Sequence, residues 1–534
     1  MARRLALTAA IAVSLLAVSG AGGTDAQRPR VGGTVRFGNL AEPPCLNVLV
    51  ATCASEATRY ITELILQPAF DVSPEYTFHP RLVSRVTFTR KPPFTLTYRI
   101  RRTARWSDGV QITAKDFLFT HQAIRKYRPD PEDPHLTHVR SVRALDAKTV
   151  RVVLRSRFSG WRSLFANVLP SHTLQGEDLT KIWTDVIDDP RTGRAIGSGP
   201  FLLESWERGR QLTLVRNPHY WGAHRAYLDR IVIRFQLGGK NPVDWFRDGE
   251  LDVAYALFPD VVPALRREPG VKVLAEDPSA GYQSFWFRMD PPGHPALRSK
   301  LIRRALAYAI DRAALVREGP GEINPNLRPL QSLLFSVQSP YYQPHWSIYR
   351  FRPLLARRML EQAGCRQSAD SIYSCDGERL SLRFVTRAGN TSRARILSLV
   401  QAQLRQSGVE VLPTFASPGV FETILSSGDF DVGLFGFFTP PNPTGNLFFG
   451  CQAPFNYTGY CQRLVTSDLA QADRILDTSH QARVMNRADA QLARDMPALP
   501  VFQIPVATAV RDNIRNFAQS LNPLTNSEKW WRER

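Results

Sequence analysis

Two stretches of the chain carry side chains suited to holding a small organic molecule. Residues 282–290 read YQSFWFRMD, with Trp286 and Arg288 two positions apart. A tryptophan is a rigid amphipathic plane that stacks on planar or sugar-like groups. An arginine offers a planar fork that clamps a carboxylate with two parallel hydrogen bonds. The second stretch, 432–462, contains no Asp, Glu, Lys or Arg, although 22% of the whole chain is charged. Phe435, Phe437, Phe438, Phe448, Phe449, Phe455 and Tyr457 make it aromatic, and Asn442 and Asn446 add neutral amides. Phe437, Phe438, Asn442 and Asn446 are candidate ligand contacts beside Trp286 and Arg288. A competing explanation needs no ligand. A buried strand and its packing account for Phe435 and several of the other aromatics, and ordinary packing accounts for Trp286 and Arg288.

Constellations for catalysis are absent. The ten histidines are scattered and form no HExxH pair. No G-x-S-x-G elbow holds a nucleophilic serine. Gly197-Ser198-Gly199 lacks the third glycine of a dinucleotide loop, is followed by Pro200, and no phosphate-binding P-loop occurs. No catalytic residue, metal site or cofactor is expected, and binding is favoured over enzymatic chemistry.

The bulk composition narrows the class further. At 534 residues, 43% hydrophobic, the chain is long enough for several domains and too apolar to be disordered. No run of about 20 apolar residues marks a multi-span membrane protein. The net charge is +20, with 59 Arg against 9 Lys spread along the whole sequence. A nucleic-acid binder gathers its basic residues on one face. Scattered arginine reads as a GC-rich coding bias, with attraction to an anionic wall or membrane surface as the second reading, and no nucleic-acid partner is expected.

The N-terminus is an address. Arg3 and Arg4 precede an apolar segment from Leu5 to Val18, and Ser19-Gly20-Ala21 or Thr24-Asp25-Ala26 offers a cleavage site. This is the pattern of a secretory signal peptide over residues 1–26. No Cys follows either cleavage site, so an exported, unlipidated mature chain is expected, periplasmic or released. The six cysteines form three local couples: Cys45 and Cys53, Cys365 and Cys375, Cys451 and Cys461. Six cysteines permit fifteen pairings. Local couples far from one another favour nearest-neighbour disulfides, which an oxidising compartment allows. The paired CxxC spacing of a zinc site is missing.

Strands and helices alternate throughout. Strand-like patterns cover 33–37, 94–101, 149–154, 210–216 and 228–235, and helical ones cover 54–67 and 113–126, the latter capped by Thr113 with Asp116 at its third position. One long helix is predicted over 297–316 and another over 354–363. Strand–helix alternation follows through 380–438, then helices at 465–477 and 480–494 and a final strand over 498–508. No repeat or flexible linker divides the chain, which points to an α/β architecture with mixed sheets and lobes joined by several crossings.

Four segments together carry a family pattern: GGTVRFGNLAEPPCLN at 32–47, RWSDGVQITAKDF at 105–117, IGSGPFLLESWERGRQLTLVRNPHYWG at 196–222, and LRSKLIRRALAYAIDR at 297–312. In this order and spacing the chain resembles the family 5 extracellular solute-binding proteins, which include the oligopeptide- and dipeptide-binding components of bacterial ABC importers. Each motif also has a scaffold reading: a turn at Trp106–Gly109, a capped helix start at Thr113, a turn after Asn217-Pro218, a helix interior at Ala305–Ile310. The motifs identify the family, not the ligand.

The resemblance implies a type II periplasmic-binding-protein fold with two lobes, mixed sheets and a ligand cleft between them. It implies a first lobe built from 27–60, 190–275 and 505–534, a small domain inserted at 61–189, and a second lobe at 276–504. It also implies a monomeric carrier that closes on a peptide or peptide-like solute and delivers it to an ABC permease. The rival reading of this chain is a cell-wall-associated or signalling receptor on the same scaffold, which would pass ligand information to a sensor instead of a permease. In peptide-binding members an Asp in the second lobe holds the ligand's amino group, after a Gly-Trp pair. Here Gly436-Phe437 stands in that place and no acidic residue follows, while Arg288 stands where relatives carry Asn. These departures argue against a simple free-amine peptide and leave room for a modified peptide, a sugar or an acidic metabolite.

Overall fold

The computed structural model describes residues 28–38, 40–73, 75–128, 133–235, 241–257, 261–275, 278–438, 445–520 and 522–533. The expected signal peptide, 1–26, and Asn442 lie outside the described residues. Three sheets organise the rest. A seven-stranded sheet runs in the order 271–274, 507–511, 253–257, 34–38, 230–234, 211–216, 201–207. Its central strand Thr34–Gly38 is parallel to both neighbours and the remaining pairings are antiparallel. Segments from both ends and the middle of the chain thus meet in one sheet. A four-stranded antiparallel sheet holds 83–88, 95–100, 149–154 and 139–146. A five-stranded mixed sheet holds 410–416, 381–387, 432–438, 278–287 and 498–505.

Apolar burial follows the same division. One core joins the seven-stranded and four-stranded sheets through Phe37, Ile61, Tyr98, Trp106, Phe117 and Trp161. A second core fills the lobe around the five-stranded sheet. The two meet at one edge, where Leu476 of the second lobe packs into the first core and Ser159 N–H donates to Asp473 O at 2.8 Å.

Local chemistry explains the element ends. Thr113 N–H donates to the Asp116 carboxylate at 2.7 Å and Thr113 Oγ1 accepts from Lys115 N–H, a capping arrangement that starts the helix Ala114–Tyr127. The three disulfides close the local couples: Cys45–Cys53, Cys365–Cys375 and Cys451–Cys461.

Two expected elements differ. The long helix over 297–316 is a short 3-10 turn at Pro295–Arg298 and two helices, Lys300–Ala309 and Arg312–Glu318. Ile310 is extended, and Asp311 caps the second helix by accepting from Ala314 N–H at 3.0 Å. The break lets the buried Arg312 guanidinium reach the carbonyls of Leu330, Pro500 and Trp346, which a buried charge requires. The expected strand over 498–508 is two strands in different sheets: Ala498–Pro505 belongs to the second lobe and Ala507–Arg511 to the first. Only Val506 separates them. Beside this crossing the chain makes its other passage, between Leu274 and Pro278. Pro278 pairs with Pro505 on one side and Leu274 with Thr508 on the other.

Candidate functional site

A cavity of about 840 Å³ opens between the lobes, within the size range of small-molecule sites. Four pieces of the first-lobe side build most of it. The helix Glu56–Ile65, capped by Ser55 Oγ, buries Ala57, Tyr60, Ile61, Leu64 and Ile65 and turns Glu56, Arg59 and Glu63 to the cavity. Spacings of three and four residues put those three charges on one face. The hairpin of strands Phe70–Val72 and Phe78–Pro80 brings Asp71, Tyr76 and Arg81. Arg162 comes from the 3-10 turn Ser159–Ser163, and the segment Phe517–Glu528 closes one side. The second lobe contributes Ser279, Gln338 and Ile504, with Val506 at the crossing. Among the described residues that wall is uncharged, and the charged groups around the cavity come from the first-lobe side.

The floor of the cavity under the helix is fixed by the GSGP segment. Ser198 and Gly199 N–H donate to Ile65 O at 2.9 and 2.8 Å, and Ser198 Oγ accepts from Gln67 N–H at 2.9 Å. A Cβ on Gly199 would stand 1.9 Å from Leu64 O, so the backbone contact requires glycine there.

Arg81 is the electrostatic centre. Its guanidinium lies 3.3 Å from Asp71 Oδ2 and 3.3 Å from Glu528 Oε1, and it donates to Gln67 Oε1 and Tyr220 Oη. Glu528 is buried, and Arg81 is its ion-pair partner. Asp71 is half-buried, and desolvation deep in the cleft pushes its carboxyl up to about 6 although Arg81 pulls the other way. Glu63 accepts from Arg59 at 3.2 Å and from Asn522 Nδ2 at 2.7 Å. Burial raises the phenol pKa values of Tyr60 and Tyr76, and both stay neutral donors. Tyr76 holds a left-handed backbone at φ 61°, at the hairpin tip, and its buried Oη has no partner among the described residues. Ser520 and Ser527 likewise turn unpartnered hydroxyls into the lining.

Of the residues expected from sequence to touch ligand, Trp286, Arg288, Phe437 and Asn446 do not line this cavity, and Asn442 lies outside the described residues. Trp286 is 1% exposed, stacks on Phe435 and Phe449 at 5.4 and 5.6 Å, and donates its indole N–H to Phe435 O at 3.1 Å. It has no free face for a solute. Phe437 is half-buried among Trp286, Phe448 and Tyr457. The structure thus brings Trp286 and Phe437 together as lobe packing. Arg288 is engaged by Asp290 at 2.8 Å and donates to the carbonyls of Tyr457 and Pro291, so its fork is already filled. Asn446 opens the short helix Asn446–Phe449, folded against Gly450. The Phe438 backbone pairs with Gly281 inside the sheet. Gly436 permits that pairing, because a Cβ there would stand 1.8 Å from Tyr282 O. The cavity residues left one trace in the sequence: three charges at helical spacing on an otherwise uncharged segment, 56–65.

Comparison with known proteins agrees with this architecture. Residues 77–458, more than two thirds of the chain, match the family model described as bacterial extracellular solute-binding proteins, family 5 Middle. The oligopeptide-binding protein OppA of Mycobacterium tuberculosis (strain ATCC 25618 / H37Rv) is 26% identical over 509 residues, covering 91% of this chain and 82% of OppA. The periplasmic EDTA-binding protein EppA superposes with a TM-score of 0.81 at 23% identity, covering 96% of this chain and 98% of EppA. AppA from Bacillus subtilis, solved with a nonapeptide, superposes with a TM-score of 0.70 at 20% identity, covering 95% and 100% of the two chains. These neighbours share the type II periplasmic-binding-protein fold. With the family model matching more than half of its length, this chain belongs to the bacterial extracellular solute-binding proteins of family 5.

Proposed function

We propose that the protein is exported, captures a peptide or peptide-like organic solute in the 840 Å³ interlobe cavity, and delivers it to an ABC import permease as the lobes close and open. It acts as a single chain. The first lobe comprises 27–60, 190–275 and 505–534, the inserted domain 61–189, and the second lobe 276–504. The observation that carries this reading is the cavity itself: a charged wall from one lobe faces an uncharged wall from the other, across two adjacent crossings. Such a site separates the work of recognition from the work of closure. Of the relatives named above two bind oligopeptides and one EDTA, so the family leaves the solute class open.

Native mass spectrometry of the exported protein tests the reading. A discrete adduct that leaves on mild unfolding is expected. A bare protein whose melting temperature is unmoved by peptide, organic-acid and sugar sets would count against a carrier.

A further inference from the structure

Arg162 stands apart from the other arginines of the cavity. Arg59 is paired with Glu63, and Arg81 with Asp71 and Glu528. Arg162 lines the same cavity, is half-buried, and has no ion pair or hydrogen bond among the described residues. Asp477 of the second lobe acts on it only from beyond ion-pair distance. Its guanidinium lies 4.3 Å from the ring centroid of Trp161. Trp161 is itself locked: it is buried, meets Phe70 and Tyr98 edge-on, and its carbonyl accepts from Tyr98 Oη at 3.0 Å. Stacking therefore fixes the plane of the guanidinium while leaving its five N–H donors unspent. Ser163, the next residue in the chain, also lines the cavity.

A half-buried cation without a partner is costly, and a planar fork matches a carboxylate. The other two cations of the cavity, Arg59 and Arg81, are spent on its acids, and the acids Glu56, Glu63, Asp71, Glu75 and Glu528 outnumber them. Resting on the solute-capture reading above, we infer that Arg162 is the anion anchor of the site and that the solute carries a carboxylate, held from the inserted domain rather than from the second lobe. The acidic residues along the helix Glu56–Ile65 and the hairpin tip then face the solute's cationic or hydrogen-bond-donating end.

The test compares melting temperatures of wild type and Arg162→Gln with four solute sets: mixed tripeptides as free acids, the same tripeptides as C-terminal amides, small di- and tricarboxylates, and neutral sugars. Arg162→Gln alone should melt as wild type does, because the side chain anchors no core. The inference expects stabilisation by a carboxylate-bearing set, absence of that effect with the amides or sugars, and loss of affinity by about tenfold or more in Arg162→Gln, with partial recovery in Arg162→Lys. Equal stabilisation by amides and free acids, or an Arg162→Gln protein that keeps the preference, would overturn the anchor and leave the carrier reading standing. If no set acts, the mass-spectrometry adduct decides. An adduct that takes up no methyl ester on esterification overturns the anchor alone, one that takes up a methyl ester and is lost in Arg162→Gln supports it, and absence of any adduct overturns both readings together.

Discussion

Gln519 Nε2 lies 2.7 Å from the carbonyl oxygen of Val506, the single residue between the two lobes' sheets, and 3.2 Å from Leu274 O at the other crossing. One amide thus ties both passages of the chain, and its residue also lines the cavity. Gln519→Ala removes the tie without touching a core. We expect a loss of about 1 kcal/mol in stability and a larger radius of gyration in solute-free solution scattering. An unchanged scattering profile would mean that the crossings are held by their strand pairing alone.

Gly199→Ala drives a methyl group into the Leu64 carbonyl. The neighbouring atoms are backbone, so the helix Glu56–Ile65 must shift as a unit. The expected outcome is a loss of about 3 kcal/mol or failure to accumulate folded protein, read by thermal melting. A wild-type melting curve would show that the helix end yields at little cost.

Arg81→Gln leaves Asp71 and Glu528 facing each other without their cation. Uncompensated carboxylates repel and resist desolvation, and protonation relieves both effects. The variant should be destabilised by roughly 1–3 kcal/mol near pH 8 and recover much of this near pH 5, as circular-dichroism melts can show. A deficit that is the same at both pH values would assign Arg81 a packing role only.

Asp489 is fully buried in the second lobe, accepting from Leu333 N–H at 3.1 Å, and desolvation pushes its carboxyl up to about 7. The folded state then holds a proton that the unfolded carboxyl, titrating near 3.8, has released. This group's contribution to stability is complete below about pH 4 and is lost as the pH rises through about 7. The slope is at most on the order of 1 kcal/mol per pH unit. Asp489→Asn should flatten that part of the stability profile and melt higher than wild type at pH 8. A variant whose profile keeps the wild-type slope would place the proton elsewhere.

Trp286→Ala empties the centre of an aromatic cluster and should cost about 3–5 kcal/mol, with solute affinity in the surviving folded fraction unchanged. A selective loss of binding with little loss of stability would restore Trp286 to the recognition surface.

Much of the frame was legible from residue order. Thr113 with Asp116 announces a helix start, the alternation of 95–100 a half-buried strand, and the cysteine couples their own pairing. The misread segments share a cause. In PALPVFQIPVATAVR, Pro505 stands where the first strand ends, but nothing shows that the next strand joins a different sheet, because both sheets ask for the same residue types. The helix break that lets Arg312 reach its carbonyl partners lies where periodicity alone would carry one helix through. The site was hidden for a different reason. Its walls come from segments more than 400 positions apart, Glu63 and Asn522 being hydrogen-bonded partners. The aromatic, charge-free stretch that drew attention is what packing the second lobe requires.

The edge contact between the lobes sets a scale for function. Separating them there uncovers Leu476 and breaks the Ser159–Asp473 hydrogen bond. Together these amount to about 3 kcal/mol, by the usual worth of one buried leucine and one exposed-state hydrogen bond. As a latch that is about five times thermal energy, small beside the free energy of roughly 8 kcal/mol that holds a micromolar ligand. How long a captured molecule stays would then be governed by its own contacts within the cavity, with the latch adding only a modest common factor to every residence time.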